Sequence, residues 1–140
     1  MDAQSTYVLL QLGAERYALP VEQVQEVVEL ERLTPVPGAP PATLGIHNLR
    51  GQILPVFDLG LILSVGGEYD NRQIVITDSE AGHLGFSVSV VSAVTDLPEA
   101  RESVDSPFLQ GAAWIDEYLV GIIDRELVIA SIGHGDRGDG

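Results

Sequence analysis

Four side chains in this sequence are of the types that hydrolysis uses: His47, Asp58, Asp78 and His83. An imidazole held by a carboxylate serves as a general base towards water, so a small β-barrel hydrolase built on Asp58, Asp78 and either His47 or His83 is one class to test. The rest of the catalytic vocabulary is absent. The chain has no Cys and no Lys, which removes thiolate nucleophiles, sulfur metal sites, Schiff-base lysines and a phosphate-binding lysine. No Gly-x-Ser-x-Gly, P-loop or dinucleotide fingerprint occurs. His47, His83 and His134 share no ligand spacing, so no metal or other cofactor is implied. Asp58 and Asp124 each follow an apolar run and precede a helical pattern, where a carboxylate caps backbone amides rather than attacking a substrate.

The other available chemistry is recognition. Residues 44–59 read LGIHNLRGQILPVFDL, the most apolar stretch of the chain, interrupted in its middle by Asn48, Leu49, Arg50 and Gly51. Gly supplies the positive φ of a tight hairpin turn and Asn bonds nearby backbone, so the stretch is two strands with Arg50 at their tip. An exposed guanidinium offers a rigid fork for a carboxylate, and arginine is enriched among the energetic anchors of interfaces. Glu26 interrupts a run of valines and lies, by alternation, on the face opposite Val27. It is a solvated strand residue, a second contact residue or the internal partner of Arg50.

Charge narrows the partner. The 140 residues carry 21 acids against seven arginines, a formal net charge of -14, spread over both halves. Nucleic acid and anionic membrane both need a basic footprint that this chain lacks, so neither nucleic-acid binding nor direct membrane insertion is expected. A neutral or basic protein surface is favoured instead. No run approaches the roughly 20 apolar residues of a membrane span, and a cytoplasmic protein is expected.

The elements that must position these groups are short strands. Tyr7–Leu12 and Arg16–Pro20 suit a hairpin across Gly13, Ala14 and Glu15, and Val24–Leu30 is rich in β-branched residues. Pro35, Pro37, Pro40 and Pro41 fix a loop. A helical turn at Leu59–Val65 and a soft connection at Gly66–Asn71 follow. Arg72–Ser79, Leu84–Ser89, Val91–Leu97, Gly111–Asp116 and Leu119–Asp124 read as further strands, with an acidic loop at Pro98–Pro107 and a final apolar segment Leu127–Ile132. The expected class is all-β with minor short helices, as one domain over residues 5–132, and residues 133–140 form a frayed tail.

The chain also repeats itself at an offset of 66 or 67 residues. Leu19, Val21, Val24, Val27 and Leu30 match Phe86, Val88, Val91, Val94 and Leu97, while Gly45, Leu49, Ile53, Val56 and Asp58 match Gly111, Ile115, Leu119, Ile122 and Asp124. Two similar small barrels packed on a shared apolar interface are implied, because each is too small to be stable alone. The apolar scaffold recurs, but Asn48, Arg50 and Gly51 face Trp114, Asp116 and Glu117. A barrel therefore does not require Asn-Leu-Arg-Gly, and those residues serve something particular to the first copy.

Several motifs together resemble the CheW-like family of chemotaxis coupling proteins. They are the first hairpin with Tyr17, Leu19 and Pro20, VQEVVEL at 24–30, the loop with Thr34, Pro35, Val36 and Pro37, and GIHNLRGQILPVFDL at 45–59. The resemblance is clear over residues 7–62, moderate over 72–97 and thin beyond. It implies two five-stranded SH3-like subdomains and no catalysis. It also implies an adaptor that joins the cytoplasmic tip of a methyl-accepting chemoreceptor to the regulatory domain of a CheA-like histidine kinase, and is thereby recruited to membrane-associated receptor arrays. Val24, Glu26 and Arg50 occupy positions the family associates with partner contacts. With Asn48 and Gly51 from the repeat comparison they form the expected partner-binding set. Where the family often has Val-Asp-x-Val this chain has Val88, Ser89, Val90 and Val91, His47 takes a place more often apolar or small, the link at Gly66–Asn71 is short, and the C-terminal helix is abbreviated. An adaptor of pilus motility or phototaxis, or one that binds the kinase without receptors, is compatible with those departures.

Overall fold

A computed structural model describes residues 4–99 and 101–135. It contains ten strands in two five-stranded sheets. The strands are β1 (Gln4–Leu12), β2 (Glu15–Pro20), β3 (Glu26–Glu29), β4 (Thr43–Leu49), β5 (Gln52–Asp58), β6 (Gln73–Ser79), β7 (Gly82–Val88), β8 (Val90–Pro98), β9 (Leu109–Ile115) and β10 (Tyr118–Ile123). Two helices, α1 (Leu59–Ile62) and α2 (Arg125–Gly135), and a 3₁₀ turn at Val21–Gln23 complete it. The expected fold class, all-β with two SH3-like subdomains and minor helix, is what the chain adopts. The helix α2 begins two residues before the expected segment and reaches Gly135, into the stretch read as a frayed tail; residues 136–140 lie outside the described residues.

The strand orders are β8-β1-β2-β10-β9 and β3-β6-β7-β5-β4. The repeat is visible in them: β3, β4, β5 and α1 of the first half correspond to β8, β9, β10 and α2 of the second. The two halves are not the two sheets. The first sheet takes β1 and β2 from the first half and β8–β10 from the second, while the other takes β3–β5 from the first and β6–β7 from the second. Each half thus donates a hairpin to the other's sheet, through the antiparallel pairs β1·β8 and β3·β6 and the parallel pairs β2·β10 and β5·β7.

Three hydrophobic clusters follow from strand alternation, in which successive side chains point to opposite faces. Tyr7, Ala18, Leu97, Val120 and Ile122 fill one subdomain, and Leu54, Val56, Ile74 and Ile76 fill the other. The opposite parity, including Leu10, Leu12, Leu19, Val75, Phe86 and Val88, packs into a cluster common to both sheets, sealed by Leu59 of α1 and Val128 of α2. This is the shared apolar interface. Its inner strands are buried on both faces, which is why β1 and β6 read as nearly continuous apolar runs.

Two glycines are conformationally obligatory. Gly45 has φ +150 and Gly111, its counterpart, φ +149. A Cβ at Gly45 would lie 2.7 Å from the Thr34 carbonyl oxygen, and one at Gly111 3.0 Å from that of Glu102. At both places an incoming loop crosses the strand and pairs once with it, Thr34 with Ile46 and Glu102 with Ala112. The proline-rich loop is held at one end by that bridge and at the other by the Thr43 amide donating to Pro40. The connection before β6 is less soft than expected: the Tyr69 hydroxyl donates to Asp58 at 3.1 Å, and its ring fills the space above Gly60.

Candidate functional site

The hairpin β4–β5 turns through two residues, Arg50 (φ 50) and Gly51 (φ 88), the φ pattern of a type I′ turn. The Asn48 side chain accepts from the Gly51 amide at 2.8 Å, so Asn48 and Gly51 do the turn-forming work. That backbone favours Asn, Asp or Gly at position 50. The corresponding turn of β9–β10 has Asp116 there, at φ 54. An arginine is thus not what the turn requires, and its side chain must be explained by its contacts.

Those contacts are with Glu26. Arg50 donates Nη1 to Glu26 Oε2 at 3.0 Å and Nη2 to Oε1 at 2.8 Å, a bidentate pair on the surface. Glu26 begins β3, at one edge of its sheet, and Arg50 stands at the tip of the hairpin that carries the other edge, β4. The pair therefore clasps the two margins of a curled five-stranded sheet. The Arg50 side chain keeps 70% of its accessible surface and that of Glu26 35%. Hydrogen bonding to Arg50 holds the Glu26 carboxyl below its ordinary range, against a smaller opposing effect of desolvation. Glu26 in turn raises the Arg50 guanidinium. Of the two sequence readings for Arg50, internal pairing is present; a fork this exposed still presents its outer edge to solvent.

Val24 is placed differently from the other four. It is partly buried and packs against the shared core immediately before β3. Its role is to support the strand that carries Glu26, with part of its surface outward.

Sequence reasoning missed a polar chain beside this clasp. Gln25 Nε2 donates to Asp78 Oδ2 at 3.0 Å, Asp78 Oδ1 lies 2.7 Å from His83 Nε2, and His83 Nδ1 is 3.1 Å from Gln52 Nε2. It runs from the residue before β3 across β6 and β7 to β5, and its end residues adjoin Glu26 and the Arg50–Gly51 turn. The signal was available in part: Asp78 and His83 are directly paired across the two-residue β6–β7 turn.

Asp78 and His83 are two of the residues that a hydrolase would have used, and they do meet. The remainder of that site does not form. Asp58 pairs in register with Ser87, four residues along β7 from His83, roughly 13 Å at strand rise. Both ring nitrogens of His83 are engaged, and the nearby Ser79 hydroxyl is committed to the Gly82 carbonyl. His47 is on the edge strand β4. Asp58 and Asp124 instead cap helices, accepting from the amides of Leu61 at 3.1 Å and Leu127 at 3.2 Å. Among the described residues no group of three His, Asp or Glu side chains gathers to hold a metal, and no helix is long and apolar enough to cross a membrane.

The other hairpin end carries different chemistry. Trp114 and Leu119 stand directly opposite on β9 and β10 and are 55% and 43% exposed. Arg16 stacks over the Tyr118 ring, 3.7 Å from its centroid. Trp114 is thus a surface residue. Two similar subdomains with unlike tips, one a charged clasp and one an aromatic surface, define a scaffold with two different faces.

The architecture is that of a scaffold of two SH3-like subdomains. The chain belongs to the CheW-like domain family, which it matches over residues 6–133. It is 31% identical to the chemotaxis protein CheW of Thermotoga maritima, covering 94% of this chain and 93% of that one. Identity to CheW of Treponema pallidum is also 31%, covering 87% and 74%. Protein FrzA of Myxococcus xanthus is 36% identical, covering 86% and 74%. The crystal structure of the scaffolding protein TtCheW from Thermoanaerobacter tengcongensis superposes with a TM-score of 0.76 at 30% identity, covering 89% of this chain and 86% of that one. The protein is a chemotaxis coupling adaptor and carries out no catalysis.

Proposed function

We propose that this adaptor joins the cytoplasmic tip of a methyl-accepting chemoreceptor to the regulatory domain of a CheA-like histidine kinase, in the cytoplasm and at membrane-associated receptor arrays. The partner surface is centred on Arg50 and Glu26, with Asn48 and Gly51 shaping the turn and Val24 supporting β3. The observation that carries this reading is the bidentate Arg50–Glu26 pair on an exposed tip. The second half closes the same fold without it, with Ala93 and Asp116 at the matching positions. A paired fork is pre-organised, so a partner carboxylate or backbone carbonyl meets a guanidinium whose rotamers are already restricted. Because Arg50 is paired with Glu26, the tip adds no net charge to this acidic protein and is suited to fixing register rather than to long-range attraction.

The test is binding of a receptor cytoplasmic fragment and of the cognate kinase, measured separately, with Arg50→Ala and Glu26→Ala variants shown to be folded. An anchor residue of this kind gives at least about 30-fold weaker binding to one of the two partners when truncated. Retention of both complexes at parental affinity would overturn the site. A second reading is an adaptor of a related pathway such as pilus motility or phototaxis, and a third is one that binds the kinase without receptors. Binding to the kinase with none to chemoreceptors distinguishes the third.

A further inference from the structure

The two halves of this chain are covalently joined only through residues 63–72, yet neither sheet is made by one half. β1 and β2 are completed by β8, β9 and β10, and β6 and β7 by β3, β4 and β5. The shared core is likewise drawn from both, with Leu10, Leu19 and Phe57 from the first and Val75, Phe86 and Val128 from the second. The surface that one half presents to the other is thus two open sheet edges and a large apolar face. A second copy of this chain carries the matching surface.

From this we propose that two copies exchange halves. The result is a dimer in which each complete domain combines residues 4–63 of one chain with residues 72–135 of the other. Every strand pairing and the buried residues of the shared core are kept, twice over; the connection changes, and with it the packing of Val65 against that core. In the closed monomer that connection holds Ser64 at φ 61 and Gly67 at φ 75, and Tyr69 docks back on Asp58 and Gly60 of its own half. An extended crossing releases the left-handed serine and spans up to about 28 Å over its eight residues. The Tyr69 latch and the short tether favour the monomer at low concentration. A short tether corresponds to an effective concentration near the millimolar range, so exchange competes when chains fold together at that concentration. The dimer carries two Arg50–Glu26 tips on one particle, which makes it bivalent towards any array of partners.

Because the chain has no cysteine, single cysteines report the exchange cleanly. Thr6 and Asp96 face each other across β1 and β8 and are hydrogen-bonded at 2.6 Å. Glu29 and Gln73 do the same across β3 and β6 at 3.0 Å. In each pair the inner strand, β1 or β6, lies between two neighbours, so an interchain link requires its native neighbour to come from the other chain. Full-length Thr6→Cys and Asp96→Cys chains are mixed, and Glu29→Cys and Gln73→Cys chains likewise. Each mixture is unfolded, refolded at about 10 µM and about 1 mM to bracket the tether's effective concentration, and mildly oxidised.

Expected is a disulfide-linked dimer of native spectrum for both pairs at the higher concentration, at least about tenfold above the lower one in yield. Mixing chains that are already folded should give none. Monomer mass at both concentrations, with no more linkage than each single variant forms with itself, overturns the proposal. Linkage at one pair alone also overturns it, because that outcome means exchange of a single strand rather than a half.

Discussion

Replacing Gly45 by alanine tests the argument that a chain crossing, and not chance, puts glycine at the same place in both halves. The added Cβ would sit 2.7 Å from the Thr34 oxygen and 2.9 Å from Leu33 Cβ, both belonging to the loop that crosses β4. If the loop withdraws, two hydrogen bonds are lost, Thr34 N to Ile46 O at 3.0 Å and Ile46 N to Thr34 O at 2.8 Å. Each contributes about 1 kcal/mol. The backbone at φ +150 adds roughly 1–3 kcal/mol for any residue with a Cβ. The total is about 3–5 kcal/mol, a large share of the roughly 5–15 kcal/mol that stabilises an ordinary domain. With a urea slope of about 2 kcal/mol/M, the unfolding midpoint falls by about 1.5–2.5 M.

Equilibrium urea unfolding followed by circular dichroism measures this directly, and Gly38→Ala is the control. Gly38 has φ +75 but nothing within 4 Å of the added atom, so only the backbone contribution of about 1 kcal/mol remains. Gly111→Ala should resemble Gly45→Ala with a somewhat smaller loss, since its closest contacts are 3.0 Å. A Gly45→Ala midpoint no lower than that of Gly38→Ala would refute the crossing argument.

Two further outcomes are expected from the helix caps and from Tyr69. Asp124→Ala removes one cap bond and should cost about 1 kcal/mol in the same unfolding assay. Asp58→Ala should cost about 2 kcal/mol, because Asp58 Oδ1 also accepts from Tyr69, and combining it with Tyr69→Phe should recover a coupling of about 1 kcal/mol. Burial first, and then the Asp58 charge and hydrogen bond, push the Tyr69 hydroxyl up to about 12. A group whose value is raised on folding stabilises the fold below its unfolded value, near 10, and that stabilisation fades as pH climbs through about 12. Tyrosinate absorbance should therefore show a late component that Tyr69→Phe removes, and a titration unchanged by that substitution would show the bond to be absent in solution.

Much of the fold was legible because its signals are local. Alternation and turn residues placed the hairpins, and the β4–β5 stretch was recoverable since Asn-Leu-Arg-Gly can only be a turn. Small boundary errors came from turn length: the first hairpin pairs Leu12 with Glu15 and needs two loop residues rather than three. The repeat was legible as well, because Gly45 and Gly111, and Asp58 and Asp124, meet the same stereochemical demand twice. What the repeat concealed was which half completes which sheet. Internal and reciprocal pairing bury the same apolar residues, so no hydropathy pattern separates them.

At the candidate site, the pairing of Arg50 with Glu26 was foreseen as one of two alternatives, and the structure shows that pair while leaving the fork largely exposed. Gln25 and Gln52 were invisible because a glutamine's role depends on which strand lies beside it. The exposure of Trp114 depends on its neighbours in the same way. Size and apolarity predict burial on average, yet its strand is an edge, and the residue faces outward there.

The reciprocal exchange of hairpins also sets a timetable for synthesis. Ala18 of β2 has its parallel neighbour at Ile122 of β10. That neighbour leaves the ribosome about 100 residues later, roughly 5–20 s at ordinary elongation rates. Until then the nascent first half carries unpaired edges and an uncovered apolar face that no local rearrangement can satisfy. Completion must therefore await the last strands, and through that interval the open edges of neighbouring nascent chains are exposed to one another.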